Sequence, residues 1–390
     1  MTLCSLACLA VLFTYGAGAS AASPDDLPYP QGKRFPLGLY SIHTIEEMQA
    51  EVSNGWNIAH RYGFEPKHVQ VTAQGGMLAL PHLGEMTEEQ ARATITAIAQ
   101  RGPIAWWDLP EEQRHWRKDE FNLFKNLCGW TRKYDPGQRP NYMYLPGHYG
   151  ATAIAQYVPH MDIIGAGTYT EYVHQPRAWV RYRIESVIEG IKLAGATIGP
   201  DYLNGQKTPI GIPMLFCDPQ KMDVISPVEA YHDFYSCLAS GARGILLFSY
   251  WHRHDLPILE HSYAAYAKAA SEVAGPTDLG RALLFGEDVP LQFEITSGPR
   301  RTCNFRPYAL DGDISYPSLN VLAKRHDGSV YIVAVNSSER AIKAKIAGLP
   351  QGLLKVETPF EERQAQPQIT QGAFEDAFGW LGVHVYRLSG

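Results

Sequence analysis

Between residues 36 and 251 the chain alternates a short apolar segment with an amphipathic one, eight times over. The apolar segments are PLGLYSI (36–42), WNIAHRY (56–62), MLALPHL (77–83), PIAWWDL (103–109), NYMYLPG (141–147), MDIIGAG (161–167), PIGIPMLF (209–216) and GILLFSYW (244–251). Each is bounded by Gly, Pro, Asn or Asp, the usual punctuation of short buried strands. Helical patterns fill the intervals over 44–54, 87–101, 118–134, 176–195 and 226–240. Two of them open on capping boxes: Thr87 with Gln90, and Ser226 with Pro227 and Glu229. The second unit is the weakest, because PKHVQVTAQGG combines β-branched residues with a Gly pair. Strands covered on both faces belong to a parallel sheet flanked by helices, and eight such units predict a closed (β/α)8 TIM barrel over 32–285. No Gly-rich dinucleotide fingerprint follows the first strand, which argues against an open doubly wound sheet.

From residue 286 the period changes. QFEITSG, SLNVLAKRHDGSVYIVAVN, AIKAKIAGL and GVHVYRLSG alternate apolar with polar residues, and HDG at 326–328 reads as a tight hairpin turn. This pattern predicts a small all-β antiparallel sandwich domain over 286–390.

A formal charge of −6 leaves no basic surplus for a nucleic-acid partner. The 22 tyrosines and eight tryptophans exceed what aliphatic core layers need, and such a surplus lines grooves for amphipathic ligands. Residues 1–21 read as a signal peptide, an apolar run ending in small residues at Ala19, Ser20 and Ala21, although no Lys or Arg precedes it. A secreted or periplasmic protein is therefore expected, with no membrane span after the leader. Cys128, Cys217, Cys237 and Cys303 show no CxxC spacing, so no metal cluster is indicated and no motif calls for a cofactor. Export allows one or two disulfides, with Cys217 and Cys237 the nearest pair, and buried free thiols are the alternative. No sequence feature specifies an oligomeric state.

In a barrel of this kind the reactive groups gather at the C-terminal ends of the strands. The richest end is PIAWWDLPEE (103–112), where an apolar strand runs into Trp106 and Trp107 and then Asp108, Glu111 and Glu112. Carboxylates donate and accept protons, while aromatic faces stack on the C–H faces of a sugar ring and exclude water. The other ends offer His43, His60 and Arg61, His82 and Glu85, His148 and Tyr149, Tyr169 with Glu171, Asp218, and Trp251 with His252. A single histidine at a strand end is commonly a hydrogen-bonded spacer, but the opposite ends of the strands carry no comparable supply. Glu111 beside tryptophan is the candidate general acid, since apolar neighbours favour its protonated form. Asp108 and Glu112 compete for that role. Across the cup, Glu171 and Asp218 are the candidates for the second carboxylate. His43, Arg61, His82, Trp107, His148, Tyr149, Tyr169, Trp251 and His252 are the candidate substrate-binding residues.

The order of elements, a fourth strand ending in tryptophans and acids, the eighth strand in GARGILLFSYWHR and the closing FEDAFGWLGVHVYRL resemble TIM-barrel glycoside hydrolases of the clan A type with an appended β-sandwich. The resemblance implies a carbohydrate substrate and an Asn followed by the acid/base Glu after strand four, with a nucleophilic Glu after strand seven. This chain has Asp108 and Leu109 at the first place and Cys217 and Asp218 at the second. Some sugar-hydrolase barrels instead carry an Asp after strand four and an acid after strand six, a pattern that Asp108 and Glu171 match.

The leading expectation is thus a secreted glycoside hydrolase of a polysaccharide or oligosaccharide. The histidines, including His254 with Asp255, raise a metal-dependent hydrolase as an alternative, although SIHT supplies one His where such barrels begin with HxH. A carbohydrate-binding protein on a barrel that has lost catalysis is the third reading.

Overall fold

The computed structural model describes residues 23, 25–216, 224–250 and 258–390. The leader, Cys217, Asp218, Trp251, His252, His254 and Asp255 lie outside the described residues.

The strands β1 (Leu37–Leu39), β2 (Ile58–Arg61), β3 (Leu78–Pro81), β4 (Trp107–Asp108), β5 (Asn141–Leu145), β6 (Ile163–Gly167), β7 (Thr208–Ile212) and β8 (Ile245–Leu247) form one parallel sheet. Each pairs with its sequence neighbour, and β8 pairs with β1. Parallel bridges Ala79–Ile104 and His82–Asp108 join β3 to β4, with Leu83 N–H donating to the Asp108 carbonyl at 2.7 Å, so the cylinder closes. The regular ladders are shorter than the apolar segments that encode them, because each segment leaves the sheet as it climbs into the loops of the cup.

The outer helices are α1 (Ile45–Val52), α2 (Lys67–Gln74), α3 (Glu88–Ala99), α4 (Lys118–Tyr134), α5 (Ala151–Ala155), α6 (Ala178–Leu193), α7 (Pro227–Ala239), α8 (Ile258–Ala274) and α9 (Leu279–Phe285). The capping boxes at Thr87 and Ser226 form, and Thr44 with Glu47 makes a third at the start of α1. The weak second unit does fold as a helix. Its Gly pair ends α2 rather than interrupting it, with Gly76 turning the chain at φ 81°.

Alternation along the strands divides the barrel core in two. Tyr40, Ile58, Leu80, Trp106, Tyr142, Ile163, Ile210 and Leu246 fill the interior. Their neighbours face the helices, as Trp107, Met143 and Ile164 do with Phe124 and Leu127 of α4.

After α9 the chain turns antiparallel. The strands are β9 (Glu287–Asp288), β10 (Gln292–Ser297), β11 (Leu319–His326), β12 (Ser329–Asn336), β13 (Ile342–Ala347), β14 (Lys355–Glu357), β15 (Ala373–Phe378) and β16 (Val383–Ser389). They make a three-stranded sheet, β10-β13-β15, and a five-stranded one, β14-β16-β12-β11-β9. Ile295, Ala344 and Phe374 from the first sheet meet Leu319, Ile332 and Tyr386 from the second in a shared core. The hairpin joining β11 to β12 turns at Asp327 and Gly328, both at positive φ (43° and 76°), as a tight two-residue turn requires. On its other face the larger sheet places Tyr331, Val333 and Val385 in the core beneath α7 and α9. A (β/α)8 barrel followed by antiparallel sheets is the architecture expected from the sequence.

Cys128 and Cys237 are buried free thiols and Cys303 is an exposed one. Among the described residues no helix is long and apolar enough to cross a membrane.

Candidate active site

The period of two along β4 decides which of its side chains reach the cup. Trp106 turns inward and Trp107 outward, and Asp108 turns inward again at the strand exit. Trp107 is wholly buried on the helix side, and its indole N–H donates to Asp135 at 2.9 Å. It has no face to offer a sugar, which corrects the expectation for this residue. Trp106 is also fully buried, as part of the barrel interior.

Asp108 is fully buried, and one of its oxygens takes two imidazoles: His60 donates from Nε2 at 3.0 Å and His82 from Nδ1 at 2.7 Å. Both histidines arrive by alternation. His60 follows the inward Ile58 along β2, and His82 follows the inward Leu80 just past β3. Burial pushes the Asp108 carboxyl upward, but the His82 charge and the two hydrogen bonds outweigh it and hold the group below its usual range. Burial likewise lowers His82, yet the Asp108 charge wins and its pKa is raised. His60 is lowered, with burial the dominant cause.

Glu111 accepts the Tyr62 hydroxyl at 2.8 Å. Its carboxyl is pushed up to about 7, first by burial and then by the Asp108 charge, while the Tyr62 hydrogen bond works the other way. The adjacent Glu112 is exposed and sits at φ 57°, a left-handed turn that few non-glycine residues adopt.

Aromatic rings wall the space above these acids. Tyr144 stacks on Tyr169 with ring centroids 5.8 Å apart and planes 16° apart, and Phe248 packs against both. Gly167 makes this possible, since a Cβ there would collide with the Tyr144 hydroxyl. Glu111, Glu112, Tyr144, His148, Tyr169 and Phe216 line a cavity of about 640 Å³. It combines an acid that titrates near neutrality with flat apolar walls and nearby fixed negative charge.

The other expected residues are distributed more widely. His43 is exposed, beside the capping Thr44, and Arg61 is half-buried at the end of β2. Tyr149 is buried and stacks on Tyr157 at 5.8 Å. Glu171 is ion-paired to Arg177, which also holds Glu229 at 2.9 Å and Asp233 at 2.6 Å. Tyr62, Tyr144 and Tyr308 were not among the expected site residues. For Tyr62 the signal was available, because it lies two residues beyond His60 and so on the same side of the strand line.

His60, His82 and Asp108 also form a donor set of the type that holds a divalent metal, their ligand atoms all lying within 4.8 Å of one another. Hydrogen bonding accounts for His60 Nε2, His82 Nδ1 and one carboxylate oxygen of this set, while His60 Nδ1 is buried without a hydrogen-bond partner. The second oxygen is buried and has no hydrogen-bond partner.

No protein-family model matches the chain, and no curated protein matches it in sequence. Solved structures share its fold. A protein described as a glycoside hydrolase superposes with a TM-score of 0.55 at 12% identity, over 95% of this chain and 98% of that one. The family 51 α-L-arabinofuranosidase AbfB from Bifidobacterium longum gives 0.51 at 10%, over 95% and 98%. A GH30 endoxylanase from Clostridium papyrosolvens C71 gives 0.50 at 11%, over 92% and 96%. The chain shares with these structures a common fold, and its candidate site lies at the C-terminal ends of the barrel strands, where (β/α)8 barrels carry their active sites.

Proposed function

We propose that the chain is a glycoside hydrolase acting on a polysaccharide or oligosaccharide, with Glu111 as the general acid. The observation that carries this reading is the Glu111 carboxyl itself, raised to about 7 beside Asp108 and opening on an aromatic-walled cavity. An acid protonated near neutrality is what a leaving glycosidic oxygen requires, and the oxocarbenium-like transition state gains from nearby negative charge. Asp108, locked by two imidazoles, acts on Glu111 through its charge and leaves proton transfer to it. For the second carboxylate, Glu112 lines the same cavity, and Asp218 follows Phe216, another wall of it, by two residues in sequence. Glu171, already engaged by Arg177, reads as an anchor of the loop after β6. The apolar leader supports export, which places the substrate outside the cytoplasm.

The test is incubation of the chain and its Glu111→Gln variant with xylan, arabinan and starch, followed by product analysis. Release of reducing sugars by the native chain alone supports the reading. Sugar binding without release by either would leave a carbohydrate-binding protein. The His60, His82 and Asp108 donor set favours one alternative, metal-assisted hydrolysis. Stoichiometric bound metal, with activity lost to a chelator, would establish it.

A further inference from the structure

The 298–318 segment between β10 and β11 leaves the antiparallel sheets and returns to the face of the barrel that holds Glu111. Phe305 anchors it in a small core with Trp179 and Tyr182 of α6, and Arg181 lies over the Tyr316 ring at 4.5 Å. Its tip is seated closely: a Cβ at Gly150 would lie 2.5 Å from that of Ala309. Tyr308 lines the Glu111 cavity, while the next two residues, Ala309 and Leu310, line a second cavity of about 1000 Å³. His148 lines both. The two spaces therefore adjoin at His148 and the 308–310 tip.

The second cavity is built for a polar ligand with flat apolar faces. Trp116 lines it and is 57% exposed, packed edge-on against Tyr149 with centroids 5.7 Å apart, so the indole is held in place while most of it stays open. Gln156, Glu185 and Lys192 surround it with hydrogen-bonding groups. A site for one drug-sized molecule measures ~300–1,000 Å³. The second cavity alone reaches the top of that range, and it lies beside the Glu111 cavity across His148.

We infer that this second cavity is a distal subsite for the continuing sugar chain, so that the protein takes polymers along their length, with the 298–318 segment as one wall. The inference rests on the reading of Glu111 as the acid of a sugar hydrolase. It assigns Trp116 the stacking platform and gives the C-terminal unit a direct part in substrate choice.

The experiment is calorimetric binding of xylohexaose, maltohexaose and arabinohexaose, each against its disaccharide, to the Glu111→Gln chain with and without Trp116→Ala. One hexasaccharide is expected to bind, and Trp116→Ala should weaken it at least about tenfold more than the disaccharide, as expected when remote contacts carry binding energy. Trp116→Phe should restore most of the difference. Equal loss for both lengths, no loss, or no binding of any hexasaccharide would overturn the inference. Hydrolysis by the native chain is scored separately. Length-dependent binding without cleavage would sustain the subsite and overturn the proposed reaction; cleavage without length dependence would overturn the subsite alone.

Discussion

His82 and Asp108 are joined inside the barrel mouth by a 2.7 Å hydrogen bond from Nδ1–H to carboxylate. The bond fixes the imidazole, and with His60 on the same oxygen it keeps a negative charge at a fully buried position. That charge is the second cause, after burial, of the elevated Glu111 carboxyl. The two acids therefore differ in character, Asp108 held toward its ionised form and Glu111 pushed toward its protonated one, the state the proposed general acid needs.

Two substitutions should move the pH dependence in opposite directions. A general acid is active while protonated, so turnover should fall as pH rises through about 7, the value at Glu111. Asp108→Asn removes a charge that raises Glu111, and the basic limb of the pH–rate profile should shift to lower pH. Tyr62→Phe removes a hydrogen bond that lowers it, and the limb should shift to higher pH. Profiles of kcat/KM that stay put, or move together, would contradict the coupling.

Trp107 should matter for stability and not for ligand contact. It is fully buried on the helix side with its N–H on Asp135. Trp107→Ala is expected to cost about 3–5 kcal/mol in urea unfolding, as large core truncations do. A loss below about 1 kcal/mol would mean that the ring is not packed there.

Arg177 offers a second stability test. Its guanidinium is buried and pairs with Glu171, Glu229 and Asp233. Arg177→Met leaves the buried Asp233 without this counter-charge, and breaking such a pair costs about 3–5 kcal/mol. Denaturant midpoints for the two chains measure it, and an unchanged midpoint would show that the cluster is not a structural anchor.

Chelation separates the two hydrolytic readings. If Asp108 works as a hydrogen-bonded anion, dialysis against EDTA leaves turnover unchanged, and elemental analysis finds no stoichiometric metal. Loss of activity restored by zinc would instead assign His60, His82 and Asp108 as ligands.

Much of the fold was legible in the sequence because it is written in local signals. Eight apolar segments with helix caps at Thr87 and Ser226 define the barrel, and HDG defines the β11–β12 turn. The site was legible in part. Strand-end position alone brought forward Asp108, Glu111, His82 and Tyr169, which the fold does gather at one face. Facing is not visible in the composition of a cluster: Trp107 and Asp108 are neighbours in PIAWWDLPEE, yet adjacent strand residues point to opposite sides. Long-range partners left no local trace. Nothing around Glu171 announces Arg177, and nothing in 298–318 announces that Tyr308 reaches the Glu111 cavity.

The most direct measurement is turnover of xylan, arabinan and starch by the full chain against its Glu111→Gln variant, with folding of both checked by circular dichroism. The account predicts cleavage of at least one polymer by the native chain and a fall of about 10²–10⁴-fold in the variant, the range contributed by a positioned general acid. Equal turnover by two equally folded chains would contradict it.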